Sequence, residues 1–252
     1  MQTAISLTNI SKTFNYGKPT QVDAVKNVNL AIEDGEFVVI VGSNGSGKTT
    51  LLNLISGSIY PTAGTIKIYD TDVTNLADHE RSRWIARVFQ NPLSGTASEL
   101  SILDNFRLAA LRTKAKGFTI GIDQRFKNIV KDKVAGLGMG LENKIDQAMG
   151  TLSGGQRQAL TLLMSVMDDC KVLLLDEPTA ALDPRSADVV MKTANQLTHD
   201  FQLTTILVTH NLKDAFTYGN RIIQMAEGNI IKNHADEAKT KLTQNDLFDW
   251  FS

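Results

Sequence analysis

Cysteine is nearly absent: Cys170 stands alone among 252 residues, which excludes an internal disulfide and any metal site built from clustered thiolates. It reads as a bystander thiol. The chain also lacks any apolar run near the ~18 residues that a membrane span needs, and Met1 to Thr13 has no apolar core of the secretion-signal kind. Both absences lead us to expect a soluble, cytosolic chain. An excess of one charge is missing too: 26 basic and 27 acidic side chains leave a net −1, which gives no global field for nucleic acid or an anionic bilayer. No nucleic-acid partner is expected. Internal repeats and low-complexity stretches are likewise missing. What the chain does have is 42% apolar residues, ample for a packed core in one large or two small domains.

The apolar residues are patterned. Ile5, Leu7 and Ile10, then Val28, Leu30 and Ile32, alternate with polar residues as half-buried antiparallel strands do, with Lys18-Pro19 interrupting between them. Phe37 to Val41 is a fully apolar, largely β-branched run that drops into a glycine-rich loop and then a helix over Thr49 to Ser56. Val172 to Leu175 and Thr205 to Val208 read as further buried strands, each followed by a helix, and strands alternating with helices predict a parallel sheet. Between Pro92 and Met149 the strand signal vanishes. Helical patterns around Ile102 to Arg112 and Phe126 to Leu137, separated by glycine-rich loops at Gly117 to Gly121 and Gly136 to Gly140, suggest an inserted helical lobe. Two short strands about Glu227-Gly228 follow, and an amphipathic tail carries Leu247, Phe248, Trp250 and Phe251. That tail is expected to pack on the protein, since it has no basic face for a membrane.

Two stretches read as phosphate-reading elements. Gly42-Ser43-Asn44-Gly45-Ser46-Gly47-Lys48-Thr49 matches the phosphate loop at every specified position and lies between a predicted strand and a helix. Its glycines present backbone N–H donors, Lys48 supplies a point charge near the β- and γ-phosphates, the Thr49 hydroxyl can ligate Mg²⁺, and Thr50 adds a donor near the α-phosphate. The second is Leu152-Ser153-Gly154-Gly155-Gln156. A serine able to cap a helix, followed by two glycines and the apolar run Ala159 to Met167, makes a helix N-terminus suited to an anion. Alone, Ser-Gly-Gly is more often a flexible turn.

Carboxylates and neutral polar groups complete the set. Asp176 and Glu177 end the Val172 to Leu175 strand, where open α/β sheets place their chemistry; Asp176 is assigned to metal through its water shell and Glu177 to polarising the attacking water. Gln90 lies where a strand ends and the lobe begins, placed to sense both metal and water. His210 closes the Thr205 to Val208 strand at the same edge, although a structural histidine fits equally well there; His79, His199 and His234 lack such placement and are expected to face solvent. Asp183-Pro184 reads as a helix start. Phe14 is the first choice to stack on a purine, with Tyr16 second.

These motifs resemble those of the ATP-binding subunits of ABC transporters over essentially the whole chain. In that pattern Gly42 to Thr49 is the Walker A loop, Gln90 the Q-loop, Leu152 to Gln156 the signature, Leu173 to Glu177 the Walker B strand, Ala181-Leu182-Asp183 the D-loop and His210 the switch histidine. The resemblance implies a P-loop, RecA-like α/β core (residues 1–90 and 157–252) with an N-terminal antiparallel β-subdomain and a helical signature subdomain (91–156). It implies ATP and Mg²⁺, hydrolysis of ATP, and a head-to-tail dimer in which Ser153, Gly154, Gly155, Gln156 and Asp183 of one chain complete the site held by Lys48 of the other. Thr49, Gln90 and Asp176 would serve the metal. Two integral-membrane permease subunits, docking near Gln90 and the Pro92 to Phe106 region, would place the chain on the inner face of the cell membrane.

Asp146 to Thr151 departs from the segment found in many exporters, and Phe89 to Ala97 with Gln156 to Met164 is similar to the tryptophan-type and related amino-acid importers that use an extracytoplasmic binding protein. Ala181 replaces the usual serine, and the residues after the signature lack the usual arginine-rich continuation. A soluble relative of the iron–sulfur cluster assembly type is the alternative reading. DNA-repair and translation ATPases with the same signature predict a long coiled-coil insertion or a second ATPase domain, and the sequence has neither.

Overall fold

Alternation decides the first layer. β1 (Thr3–Phe14) and β2 (Val22–Glu33) pair antiparallel, and their inward residues Ile5, Leu7, Ile10, Val28, Leu30 and Ile32 are all buried. β3 (Phe37–Val41) is buried at every residue, as expected of a strand covered on both faces, and it leads through the glycine loop into α1 (Lys48–Ser56). The next elements, β4 (Ala63–Ile68), β5 (Thr71–Asp72) and the short α2 (Asp78–Arg81), were not anticipated; β4 adds to β1 and completes a four-stranded sheet in the order β2-β1-β4-β5. The structure is a computed structural model and describes residues 2–111, 122–248 and 250.

β6 (Ile85–Val88) enters the second sheet. The helical lobe holds α3 (Ile102–Ala109) and α4 (Gln124–Ala135), capped by Ser101 and Asp123 at their N-termini. Arg112 and the glycine-rich loop at 117–121 lie outside the described residues. A 3₁₀ turn at Met149–Thr151 precedes α5 (Gly154–Ser165). α5 runs unbroken across the 156/157 division drawn from sequence, so lobe and core share this helix. β7 (Val172–Asp176), α6 (Pro184–Asp200), β8 (Thr204–Val208), α7 (Leu212–Thr217), β9 (Arg221–Ala226), β10 (Asn229–Ala235), α8 (Asp236–Thr240) and α9 (Gln244–Phe248) complete the chain.

The second sheet runs β10-β9-β3-β8-β7-β6, parallel except for the β9–β10 hairpin. One face, with Val38, Ile40, Leu174, Ile206 and Val208, packs with the antiparallel sheet around Leu51, Leu52, Leu54 and Ile55 of α1. Each such side chain contributes ~1.5–3 kcal/mol of transfer free energy. The other face, with Val39, Leu173, Leu175 and Leu207, packs on α5 and α6 and merges with Ile102, Phe106 and Val130 of the lobe. α1 is therefore clamped between two sheets, which fixes the loop in front of it.

The tail differs in part from expectation. Trp250 is buried and its carbonyl accepts from Gln224 Nε2 at 3.2 Å, but Phe248 is exposed, and Phe251 lies outside the described residues. His234 is not free in solvent: its ring lies 5.4 Å from the Trp250 ring and is half-buried.

Candidate active site

The strand β3 ends and α1 begins within a few residues, so the intervening loop must bend sharply. Gly47 sits at φ 101°, and a Cβ there would lie 2.3 Å from the Ala24 carbonyl oxygen. Only glycine fits both the left-handed backbone and the contact. Lys48 opens α1 and folds back into the loop, donating to the Gly42 carbonyl at 2.7 Å, the Ser43 carbonyl at 3.0 Å and Ser46 Oγ at 3.4 Å. Burial pushes its ammonium pKa down, while Glu177 and Asp176 oppose that shift. Thr49 Oγ1 donates to Asp176 Oδ1 at 3.2 Å.

β7 delivers the two carboxylates to this place. Asp176 is the last residue of the strand; Glu177 then takes a left-handed φ of 47°, uncommon for a residue with a side chain. Its amide donates to the Val208 carbonyl at 2.9 Å, which holds that conformation. Glu177 Oε2 accepts from Gln90 Nε2 at 3.3 Å and lies 3.0 Å from His210 Nδ1. Gly42, Ser43, Asn44, Gln90, Glu177 and His210 line one cavity of about 580 Å³. A neighbouring cavity of about 470 Å³ is lined by Phe14, Asn44, Gly45, Gly47, Lys48, Thr49, Thr50 and Glu177. With Val22 and Ala24 of β2, which line the second cavity too, the fold gathers residues from six separate stretches, Phe14 among them; Tyr16 does not line either cavity and is 80% exposed.

The signature residues lie elsewhere on the same chain. Ser153 caps α5, its Oγ accepting from the Gln156 amide at 3.3 Å while Gln156 Oε1 accepts from the Ser153 amide at 3.1 Å. Asp183 caps α6, accepting from the amides of Arg185 and Ser186, and the Ser186 hydroxyl, ahead of these amides, holds its carboxyl pKa below the ordinary range. Neither these residues nor Gly154 and Gly155 line the two cavities.

Three residues that sequence reasoning missed support the site. Gln158 Nε2 donates to the Phe89 carbonyl at 2.8 Å, tying α5 to the residue before Gln90. Asp214 in α7 is buried, with its pKa raised by desolvation, and its Oδ2 accepts from Thr179 Oγ1 at 3.4 Å. Arg87 pairs with Asp176 at 2.7 Å. A charged residue inside the otherwise apolar Ile85 to Phe89 run was the available signal for Arg87; the other two give none.

The donor set suits a hard cation. Thr49 and Asp176 offer two adjacent oxygens beside the phosphate loop, and no group of three or more metal-binding side chains exists among the described residues. Mg²⁺ fits such a place, being held by one or two carboxylates together with substrate phosphates.

A phosphate loop on a parallel sheet, with an acidic pair at the end of a neighbouring strand, defines a P-loop nucleoside triphosphatase. The ABC transporter family matches residues 25–180, and the chain belongs to that family. It is an ATP-binding-cassette ATPase. It is 39% identical over 249 residues to a tyrosine transport ATP-binding protein of Clostridioides difficile, covering 98% of each chain. It is 32% identical to a methionine import ATP-binding protein of Bacillus thuringiensis, covering 96% of this chain and 70% of that one. Among solved structures, a dimeric ATP-binding cassette in a post-hydrolysis state, bound to ADP and phosphate, superposes with a TM-score of 0.78 at 30% identity, covering 92% of this chain and 98% of that one. Nothing in these comparisons supports the iron–sulfur assembly alternative. No helix among the described residues is long and apolar enough to cross a membrane.

Proposed function

We propose that this chain is the motor subunit of an importer, most closely of the amino-acid class, and that two copies close head to tail on two ATP molecules. The observation that carries the reading is Glu177, whose Oε2 is shared by Gln90 and His210 inside the cavity that the phosphate loop lines. Gly42, Ser43, Asn44, Gly45, Ser46, Gly47 and Thr50 cradle the phosphates, Lys48 neutralises the β- and γ-groups, and Phe14 stacks on the adenine. Thr49 and Asp176, with Gln90 nearby, would hold Mg²⁺, which would supply charge neutralisation on the phosphate oxygens. Glu177 accepts a proton from the attacking water while the water oxygen bonds the γ-phosphorus and the bond from that phosphorus to the β–γ bridging oxygen breaks, yielding ADP and phosphate. His210 orients this arrangement by donating to the γ-phosphate.

Ser153 and Asp183 are exposed at helix starts, Gly154 and Gln156 are half-buried beside Ser153, and Gly155 lies buried behind them; together they are suited to completing the site of the opposing copy. The partners in this reading are two integral-membrane permease subunits and an extracytoplasmic substrate-binding protein, which places the chain on the inner face of the membrane. A cavity of about 300 Å³ lined by Ala86, Gly95, Ala97, Asn105, Met164 and the exposed Leu108 favours docking of a permease helix there. The helical signature subdomain, residues 91–156, is the lobe that would move with it. Relatives named for tyrosine and methionine support the amino-acid class and import.

The test is Glu177→Gln. ATP should still bind, turnover should fall at least about a hundredfold, and light scattering should reveal a dimer that wild type forms only transiently. Normal hydrolysis would refute the role of Glu177. A variant that stays monomeric with ATP and with its membrane partners would refute the composite site.

A further inference from the structure

Arg87 stands in the middle of β6, and its guanidinium is held on three sides. Nη2 donates to Asp176 Oδ2 at 2.7 Å, and Nη1 donates to Asn53 Oδ1 at 2.6 Å and to Ser56 Oγ at 3.3 Å. Its Cζ lies 4.7 Å from the centroid of the Phe89 ring. The side chains of Arg87 and Asp176 are only 10% and 8% exposed. A pair this enclosed keeps one geometry, because swinging either partner out would strand a buried charge.

The carboxylate of Asp176 is therefore fixed from both ends. Arg87 takes Oδ2, and Thr49 Oγ1 donates to Oδ1 at 3.2 Å. The Oδ1 edge faces the phosphate loop. A planar guanidinium suits this task, since it can bond the carboxylate, bond Asn53 and lie over an aromatic ring at once, whereas an ammonium cannot. Phe89 is itself the residue whose carbonyl receives Gln158 Nε2, and it precedes Gln90.

We propose that Arg87 is a positioning residue for Mg²⁺·ATP: it locks the Asp176 carboxylate so that its Oδ1 edge, beside Thr49, is presented to the cation's water shell. This rests on the reading of Thr49 and Asp176 as the metal-bearing residues. In this role Arg87 acts through Asp176, to which Nη2 donates at 2.7 Å. Its positive charge would by itself weaken cation binding, so the proposal holds that preorganisation outweighs that repulsion. The two effects have opposite signs, which makes the balance measurable.

The experiment is a Mg²⁺ titration of fluorescent ATP-analogue binding to the full chain, with EDTA as the metal-free reference, on wild type, R87M, R87K, N53A and D176N. For R87M the metal-free affinity should stay within about twofold while the Mg²⁺ midpoint rises about ten- to a hundredfold, the usual cost of losing an outer partner of a metal ligand. R87K should recover only part of the loss. N53A keeps every charge but frees Arg87, and should shift the midpoint several-fold in the same direction; it carries the test if R87M does not fold. An unchanged midpoint in folded R87M, or in N53A when R87M does not fold, overturns the proposal, and so does a lowered one, which would mean that the charge of Arg87 only competes with the cation. D176N separates the two readings. If D176N keeps wild-type Mg²⁺ dependence, the metal assignment itself fails; if D176N loses it while R87M does not, only the role of Arg87 falls.

Discussion

Gly155 lies directly under Ser186: a Cβ added to Gly155 would stand 2.3 Å from the Cβ of Ser186 and 2.4 Å from its Oγ. The signature helix α5 and the helix α6 that follows the acidic pair therefore cross so closely that the Ser186 side chain meets the backbone of Gly155. Gly155 has a packing duty in addition to the anion-facing one inferred from sequence. Gly155→Ala should force the helices apart and cost ~1–3 kcal/mol, the range for overpacking a tight core. Urea unfolding with an unchanged slope and a lowered midpoint would report it; an unchanged midpoint would mean that the contact relaxes freely.

Lys48→Ala removes the ammonium that the loop wraps through the carbonyls of Gly42 and Ser43. Charge-assisted hydrogen bonds are worth ~1.5–3 kcal/mol, so ATP affinity should fall about ten- to a hundredfold. Calorimetric titration at fixed Mg²⁺ measures this directly. Wild-type affinity in the variant would contradict the phosphate-loop assignment.

Arg81 is fully buried with no carboxylate partner among the described residues, and its guanidinium donates to the carbonyls of Leu54, Ile55, Thr74 and Leu76. Desolvation lowers its pKa to about 10. It closes the C-terminal end of α1 by donating to the Ile55 carbonyl and to that of Leu54, which also accepts from the Gly57 amide at 3.4 Å. Arg81→Met should cost more than about 3 kcal/mol, because each buried carbonyl left bare costs ~1–3 kcal/mol. Chemical denaturation should show the loss, and a shift below about 1 kcal/mol would show that water replaces the guanidinium.

Lys239 is buried beneath the carbonyls of Tyr218 and Gly219, and desolvation lowers its pKa from 10.5 to about 8. Between those values the unfolded chain binds more protons than the folded one, so this residue adds stability as pH rises from about 8 to 10.5 and withholds it below. Relative to Lys239→Met, wild type should therefore gain stability on going from pH 7.5 to pH 10. A pH-independent difference between the two proteins would contradict this.

Much of the site was legible because its chemistry is local. The Gly42 to Thr49 loop, the acidic pair Asp176-Glu177 and the capping geometry of Ser153 and Asp183 each depend on a few neighbouring residues, and each appears where the spacing placed it. The antiparallel pair β1 and β2 and the buried strands β3, β7 and β8 followed from periodicity alone. β4 and β5 escaped because Ala63 to Asp72 holds only two buried apolar residues in alternation, Ile66 and Ile68. His234 escaped because Trp250, which covers it, is sixteen residues away in sequence and reaches it only through the folded tail.

The sequence by itself determined the elements and the chemistry of each motif, since strand alternation, helix caps and a glycine loop are set by residues within one or two turns of each other. Only the tertiary structure decided which charges meet. Arg87 finds Asp176, Gln158 finds Phe89 and Arg81 finds the end of α1 across separations of 89, 69 and 26 or 27 residues. Such pairings depend on strand order and on which face of each helix is buried. Both are settled by the packing of α1 between two sheets, and no local pattern encodes them.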